Sequence, residues 1–296
     1  MSHPPTQSEI RAILATAGLQ PRRRLGQHFL IDSNLLHILV EEADLSARDV
    51  VLEVGAGVGN LTELLLDAAA WVVAVEIDPD LAAVARERLA GAANLDLLVA
   101  DALADKHHVS PAVLAAARAR LAETGGRLKL VANLPYSAAT PLVVELLLEE
   151  PTPALMLFTV QEEVARRLAA EPATRPYGPV SVVVQALAQV EVLRRLGPTV
   201  FWPRPEVWSA MVRIRPIPAR RRRIADLVVF RRVVEGLFRH RRKRAPRSLA
   251  LADPGGEPAE AWAARLEAAG LDPLARGETY SVDQIIRLAN VVAGKP

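Results

Sequence analysis

Val50-Val51-Leu52-Glu53-Val54-Gly55-Ala56-Gly57-Val58-Gly59 decides the fold of this 296-residue chain. An apolar run of strand length ends in three alternate glycines, and a helix-forming stretch, Leu61–Ala69, follows directly. Glycines permit a tight turn and close approach of backbone to a ligand, and the helix that follows contributes free N–H groups at its start. The spacing is G-x-G-x-G, which makes the dinucleotide fingerprint G-x-G-x-x-G the weaker reading.

Outward from this turn, short apolar runs alternate with helical ones, the pattern of a parallel sheet wrapped by helices. Strands are expected at Val50–Val54, Trp71–Glu76, Leu95–Val99, Leu128–Ala132 and Ala154–Thr159. Helices fit between them at Leu61–Ala69, Pro79–Leu89, Ser110–Glu123 and Pro141–Glu149, and another covers Gln161–Ala170. Two more extended segments, Val182–Leu196 and Val207–Ile214, are expected on either side of the link Phe201-Trp202-Pro203-Arg204-Pro205. Beyond Pro216-Ile217-Pro218 the composition turns basic and helical, with helices expected over Asp226–Phe238, Glu257–Ala269 and Ser281–Ala293. The expected architecture is a Rossmann-like α/β domain over residues 1–216, its sheet mostly parallel with an antiparallel C-terminal strand. A smaller all-α domain over residues 217–296 completes it.

Composition narrows the class. With 51% apolar residues the chain folds into a core, and with no cysteine it has no disulfide, thiolate metal site or cysteine nucleophile. No uncharged apolar run reaches the roughly 20 residues of a membrane span, and the N-terminus lacks a signal-peptide core. A soluble, cytoplasmic monomer without membrane partners is expected. The net charge of +2 hides an asymmetry: residues 217–296 hold 16 Lys and Arg against 9 Asp and Glu, leaving 20 against 25 in residues 1–216. Clustering at Arg220–Arg223 and through Arg241, Arg242, Lys243, Arg244 and Arg247 is the footprint of a phosphate-binding face, and it also suits a solvated helix surface.

Chemistry-bearing residues fall at successive strand ends. Glu76 ends the second strand and is placed to accept hydrogen bonds from two ribose hydroxyls; Asp101, after the third, is placed to bond an adenine amine at the edge where open sheets bind ligands. Asn133-Leu134-Pro135-Tyr136 ends the fourth. The Asn133 side-chain oxygen and the Leu134 carbonyl would each take one N–H of an amine, turning its lone pair out of conjugation toward an incoming methyl group. Pro135 sets the direction of that carbonyl. Tyr136 offers a face for stacking. Taken singly, each of these residues also suits an ordinary strand-end turn.

Together these residues resemble the ribosomal RNA adenine dimethyltransferases that use S-adenosylmethionine, a small-subunit adenine N6-dimethyltransferase family of class I methyltransferases. The likeness extends over most of the chain. Arg24-Leu25-Gly26-Gln27-His28-Phe29-Leu30 is similar to the family's N-terminal segment, Glu53–Gly59 to its glycine motif and Asn133–Tyr136 to its catalytic motif. Tyr177-Gly178 with Ser181, Phe201-x-Pro-x-Pro, and Arg241-Arg242-Lys243 with Arg247-Ser248-Leu249 are similar to its later signatures. The resemblance implies that His28, Leu30, Gly55, Gly57, Glu76, Asp101 and Asn133 contact the cofactor. It also implies that Tyr136 and Phe201 sandwich the target base, and that Arg241, Arg242, Lys243 and Arg247 bind RNA. No metal is expected, and His107-His108 read as surface residues. Three departures stand out: His28 where asparagine is common, Ser137-Ala138-Ala139 after the catalytic motif, and Glu206 where a basic residue is usual. The implied activity is dimethylation of two adjacent adenosines in small-subunit (16S) ribosomal RNA during ribosome biogenesis, with the pre-ribosomal small subunit as partner. The alternatives are a large-subunit methyltransferase of the macrolide-resistance type and an assembly factor whose catalysis is incidental.

Overall fold

The computed structural model describes residues 4–22, 26–106 and 108–295; Arg23, Arg24, Leu25 and His107 lie outside the described residues. Thr6 opens α1 (Gln7–Thr16) with a capping box, its backbone N–H reaching Glu9 Oε2 at 2.6 Å. After the short β1 (Phe29–Leu30), Asp32 caps α2 (Ser33–Glu42) by accepting the Leu35 amide. Then come β2 (Val50–Val54), α3 (Asn60–Ala68), β3 (Trp71–Glu76), α4 (Pro79–Arg88) and β4 (Leu95–Val99). A hairpin of β5 (Leu103–Asp105) and β6 (His108–Val109) precedes α5 (Pro111–Thr124). The core finishes with β7 (Leu128–Asn133), α6 (Ala139–Leu148), β8 (Leu155–Gln161) and α7 (Glu162–Leu168).

Seven strands form one sheet in the order β4-β3-β2-β7-β8, continued by β11 (Ser209–Pro216) and β9 (Ala188–Leu196). The first five are parallel, and β11 runs antiparallel to β8. Every residue of β2 is buried, as expected for a strand covered on both faces, which explains why it is apolar at every position but Glu53. β10 (Phe201–Trp202) pairs with β1 away from this sheet, joining Phe29 to Trp202 and Leu30 to Phe201.

The expected extended run Val182–Leu196 is corrected. Its first half is helical, α8 (Pro179–Leu187), and only the remainder is the strand β9. Three consecutive valines favour a strand. Here Pro179 sits in the first turn, Ser181 Oγ accepts the Gly178 N–H at 3.1 Å, and Val182 and Val184 are fully buried, so capping and packing override propensity.

The chain divides into two compact units, one formed by the described residues up to Ala165 with Glu191–Pro216, the other by Arg166–Val190 with the described residues from Ile217 onward. Helix α8 thus groups with the C-terminal helices. That second unit contains α9 (Pro218–Arg221), α10 (Leu227–Arg239), α11 (Ala245–Ala252), α12 (Ala259–Ala268) and α13 (Val282–Val292). Helix α11, inside the basic run, was absent from the sequence expectation. No helix among the described residues is long and apolar enough to cross a membrane.

One buried ion pair anchors the N-terminal side of the sheet. Lys129 Nζ on β7 lies 2.9 Å from Asp49 Oδ2, just before β2, and both side chains are almost fully buried. The ammonium also donates to the carbonyls of Ala43, at 3.0 Å, and Asp44, tying the end of α2 to the sheet. Burial works to raise the Asp49 pKa, yet hydrogen bonds from Lys129 and Ser46 hold it below the ordinary aspartate value. Replacing Lys129 by Met should cost about 3–5 kcal/mol in urea unfolding at neutral pH, because it removes the buried cation and leaves the buried Asp49 carboxylate only the largely exposed Arg127, 3.4 Å away. The contribution of Asp49 is present above its unfolded value and lost as pH falls through its lower folded value, so the deficit should narrow in acid.

Candidate active site

The parallel ladder sets the carboxyl ends of β3, β2, β7 and β8 side by side, with Val54 paired to Val75 and Asn133 to Thr159. At that edge a cavity of about 160 Å³ is lined by Gly55, Gly57, Glu76, Asp101, Asn133, Leu134, Pro135 and Tyr136, with His28 and Phe29 from the N-terminal segment. Most of the residues singled out in the sequence therefore share one wall.

The glycine loop and the Asn133 turn are fitted to each other. Gly55 has φ +85°, and a side-chain carbon there would stand 3.1 Å from the Pro135 ring; at Gly57, φ +58°, it would stand 2.9 Å from the Phe29 ring. Only glycine allows both the left-handed backbone and the close approach. Glu76 braces the loop by accepting the Gly57 N–H at 2.7 Å and the Asp78 N–H at 2.9 Å. Burial raises its pKa, with those two amides acting in the opposite direction. Each carboxylate oxygen retains a further lone pair for a hydroxyl donor. Asp101 is exposed at the rim, where Oδ1 accepts the Leu103 N–H at 2.9 Å.

Asn133 is locked from two sides. Thr159 Oγ1 donates to its Oδ1 at 2.5 Å, and its Nδ2 donates to the His28 carbonyl at 2.8 Å. These partners settle which amide atom is oxygen. Thr159 escaped the sequence reading; a single hydroxyl inside the apolar run Leu155–Val160 was the available signal. Ser209 was missed too, and its Oγ lies 2.7 Å from the Tyr136 hydroxyl. The N-terminal segment is pinned to the same edge by Gln27 and Arg22. Gln27 Nε2 donates to Asp78 at 2.9 Å, while Arg22 forks between Asp78 at 2.9 Å and Asp80 at 2.6 Å.

Phe201 is only 2% exposed, packed in the hydrophobic core around β2. The ring stacked on Tyr136 is His28, with centroids 5.4 Å apart and an interplanar angle of 30°. Because the Pro203 carbonyl can only accept, His28 Nδ1 carries the proton in their 2.7 Å bond. Leu30 is buried and lines a smaller adjoining cavity of about 30 Å³ with Glu53, Asn60 and Asn133. In the second unit, Arg241 is engaged by Glu278 at 2.8 Å and by the Arg175 carbonyl at 3.2 Å, whereas Arg242, Lys243 and Arg247 are exposed.

A mostly parallel sheet with a glycine loop, an acidic residue closing the next strand and an Asn-Leu-Pro-Tyr turn on one cavity defines a class I methyltransferase. Residues 18–293 match the ribosomal RNA adenine dimethylase family, and the chain belongs to it. It is 43% identical to the ribosomal RNA small subunit methyltransferase A of Pelotomaculum thermopropionicum, covering 95% of this chain and 94% of that protein. Identity to the Nocardia farcinica protein of the same name is 41%, over 95% and 93%. Among solved structures, a dimethyladenosine transferase from Plasmodium falciparum superposes with a TM-score of 0.71 at 21% identity, covering 87% of this chain and 94% of that one. The 23S rRNA methyltransferase ErmE gives 0.60 at 27%, over 90% and 99%.

Glu53, beneath the glycine loop, is wholly buried, and burial pushes its pKa up to about 8. Its Oε2 and both amide atoms of Asn60 bond to no described residue. The stabilisation carried by neutral Glu53 is complete below its ordinary value near 4.5 and is lost as pH rises toward 8. Glu53→Gln should therefore flatten the fall in melting temperature between pH 5 and 8 in ligand-free protein, as read by calorimetry.

Proposed function

We propose that this protein transfers two methyl groups from S-adenosylmethionine to the N6 amine of each of two adjacent adenosines in small-subunit ribosomal RNA, acting in the cytoplasm during ribosome biogenesis. What carries this is the shared cavity: a locked carboxamide, an X-Pro turn and an aromatic ring face the glycine loop and Glu76 across one space. Similarity over nearly full length to small-subunit methyltransferases supports the small subunit over the large as substrate.

S-adenosylmethionine, when bound, supplies a methyl carbon activated by its sulfonium. Gly55 and Gly57 let the backbone approach it, Glu76 takes the ribose hydroxyls and Asp101 the adenine amine. Asn133 Oδ1 accepts the Thr159 hydroxyl with one lone pair and keeps another for an N–H of the target. The Leu134 carbonyl takes the second N–H. The N6 lone pair, no longer delocalised, would form the new N–C bond as the sulfonium S–CH3 bond breaks and its electron pair returns to sulfur, releasing S-adenosylhomocysteine; the alkylated amine would then lose its proton to water without a general base. Tyr136, backed by His28, stacks on the extruded base and offsets a few kcal/mol of unstacking. In the second unit, exposed Arg242, Lys243 and Arg247 grip phosphates, while Arg241 holds Glu278. Binding through such contacts weakens steeply with salt.

Labelled S-adenosylmethionine offered with unmodified small subunits, large subunits, naked RNA and DNA should mark adenine of the small subunit; label on DNA or protein alone would sink the proposal. Asn133→Ala should lower turnover by roughly 10²–10³-fold, the loss seen when one oriented dipole is removed. Thr159→Val should lower it roughly tenfold, about the worth of one hydrogen bond, with S-adenosylmethionine affinity unchanged in titration calorimetry. If Asn133→Ala fully rescues cells lacking the wild-type protein, assembly is the main task and catalysis incidental.

A further inference from the structure

Trp208 is 45% exposed, an unusual position for the largest side chain of a folded protein. It immediately precedes Ser209, which begins β11 and holds the Tyr136 hydroxyl at 2.7 Å. Because β11 is antiparallel to β8 and pairs Ser209 with Gln161, Trp208 emerges at the same sheet edge as Asn133 and Tyr136. A trans peptide sets it about 3.8 Å along the chain from Ser209.

The ring is held in place. The Arg195 guanidinium, at the end of neighbouring β9, stands 4.0 Å from the ring centroid. Arg195 Nε is fixed at 3.0 Å by Glu162 Oε1, and the Glu162 N–H donates to the Trp208 carbonyl at 2.9 Å. One residue therefore anchors both the cation and the backbone beneath the ring. An aromatic face with a cation stacked on it, kept rigid before any ligand arrives, recognises unpaired bases whatever their sequence, and the cation attracts the adjoining phosphate. A hydrophobic protein partner fits less well, since Arg195 over the ring is exposed and charged, as are Arg204 and Glu206 a few positions before Trp208 in the chain, with Val207 the exposed apolar neighbour.

We infer that Trp208, stacked on Arg195, is a platform for an unpaired nucleotide flanking the target adenosine, and so a positioning residue for the RNA strand rather than a catalytic one. This rests on the proposed RNA substrate. Such a platform keeps the strand at the cavity mouth while one adenosine is withdrawn and the next enters. It also gives the loop that carries the exposed Glu206 a contact that does not depend on a positive charge at that position.

The test compares Trp208→Ala and Trp208→Phe in the full chain. With unmodified small subunits, Trp208→Ala should raise KM about tenfold, within the usual worth of one stacked base, and leave kcat within about twofold. Trp208→Phe should restore KM to within about threefold, and S-adenosylmethionine affinity should match wild type in both. In parallel, a single-stranded adenosine-containing RNA hexamer should quench the fluorescence of wild type, and Trp208→Phe should abolish the quench although the other three of the 4 tryptophans remain. An unchanged KM in Trp208→Ala, a KM rise accompanied by lost cofactor affinity, or a quench that survives Trp208→Phe would each overturn the inference. If wild type fails to methylate small subunits, the proposed function is what fails, and the hexamer quench still decides the role of Trp208.

Discussion

Everything at the site depends on the parallel hydrogen-bond register of β3, β2, β7 and β8. Parallel strands joined through helices all end at one edge, and here the last residues of β2 and β7 are paired close to the ends of their neighbours: Val54 beside Val75 of β3, and Asn133 beside Thr159 of β8. A slip of one residue would turn each side chain to the opposite face. Thr159 would then leave Asn133, and the carboxamide that the chemistry needs would lose its orientation. The register is secured by a core in which Val51, Leu130, Val131, Met156 and Leu157 are fully buried.

Lys129, Asp49 and Glu76 are polar groups set in this apolar frame and bound to particular partners. Lys129 neutralises Asp49 and collects two carbonyls from the end of α2. Glu76 takes two amides and thereby shapes the turn that it borders. Glu53 pairs with no cation among the described residues, and burial raises its pKa to about 8. The three carboxylates show how environment divides the work: one forms an ion pair, one braces a loop, one remains neutral.

Much of the fold was legible because its signals are local. β2, β3 and β4 begin and end where their apolar runs do, and α4 and α5 start at prolines placed after Asp78 and Ser110. Where the reading failed, long-range packing had overruled a local preference. The valines of α8 look like a strand until buried against other helices. Thr159 and Ser209 carry no motif of their own; their roles exist only because β8 and β11 deliver them to Asn133 and Tyr136. Arg241 belongs to a basic run, yet Glu278, thirty-seven positions later, claims its guanidinium.

By itself the sequence determined the class of fold, the glycine loop, the acidic strand ends and the Asn-Leu-Pro-Tyr turn, since each follows from backbone freedom, hydrophobic period and residue chemistry within a few positions. Only the tertiary structure decided that Gly55 must admit the Pro135 ring, that His28 stacks on Tyr136, and that Arg195 stands over the Trp208 ring. Those are contacts between residues far apart in the chain, set by strand register and burial, and no local pattern encodes them.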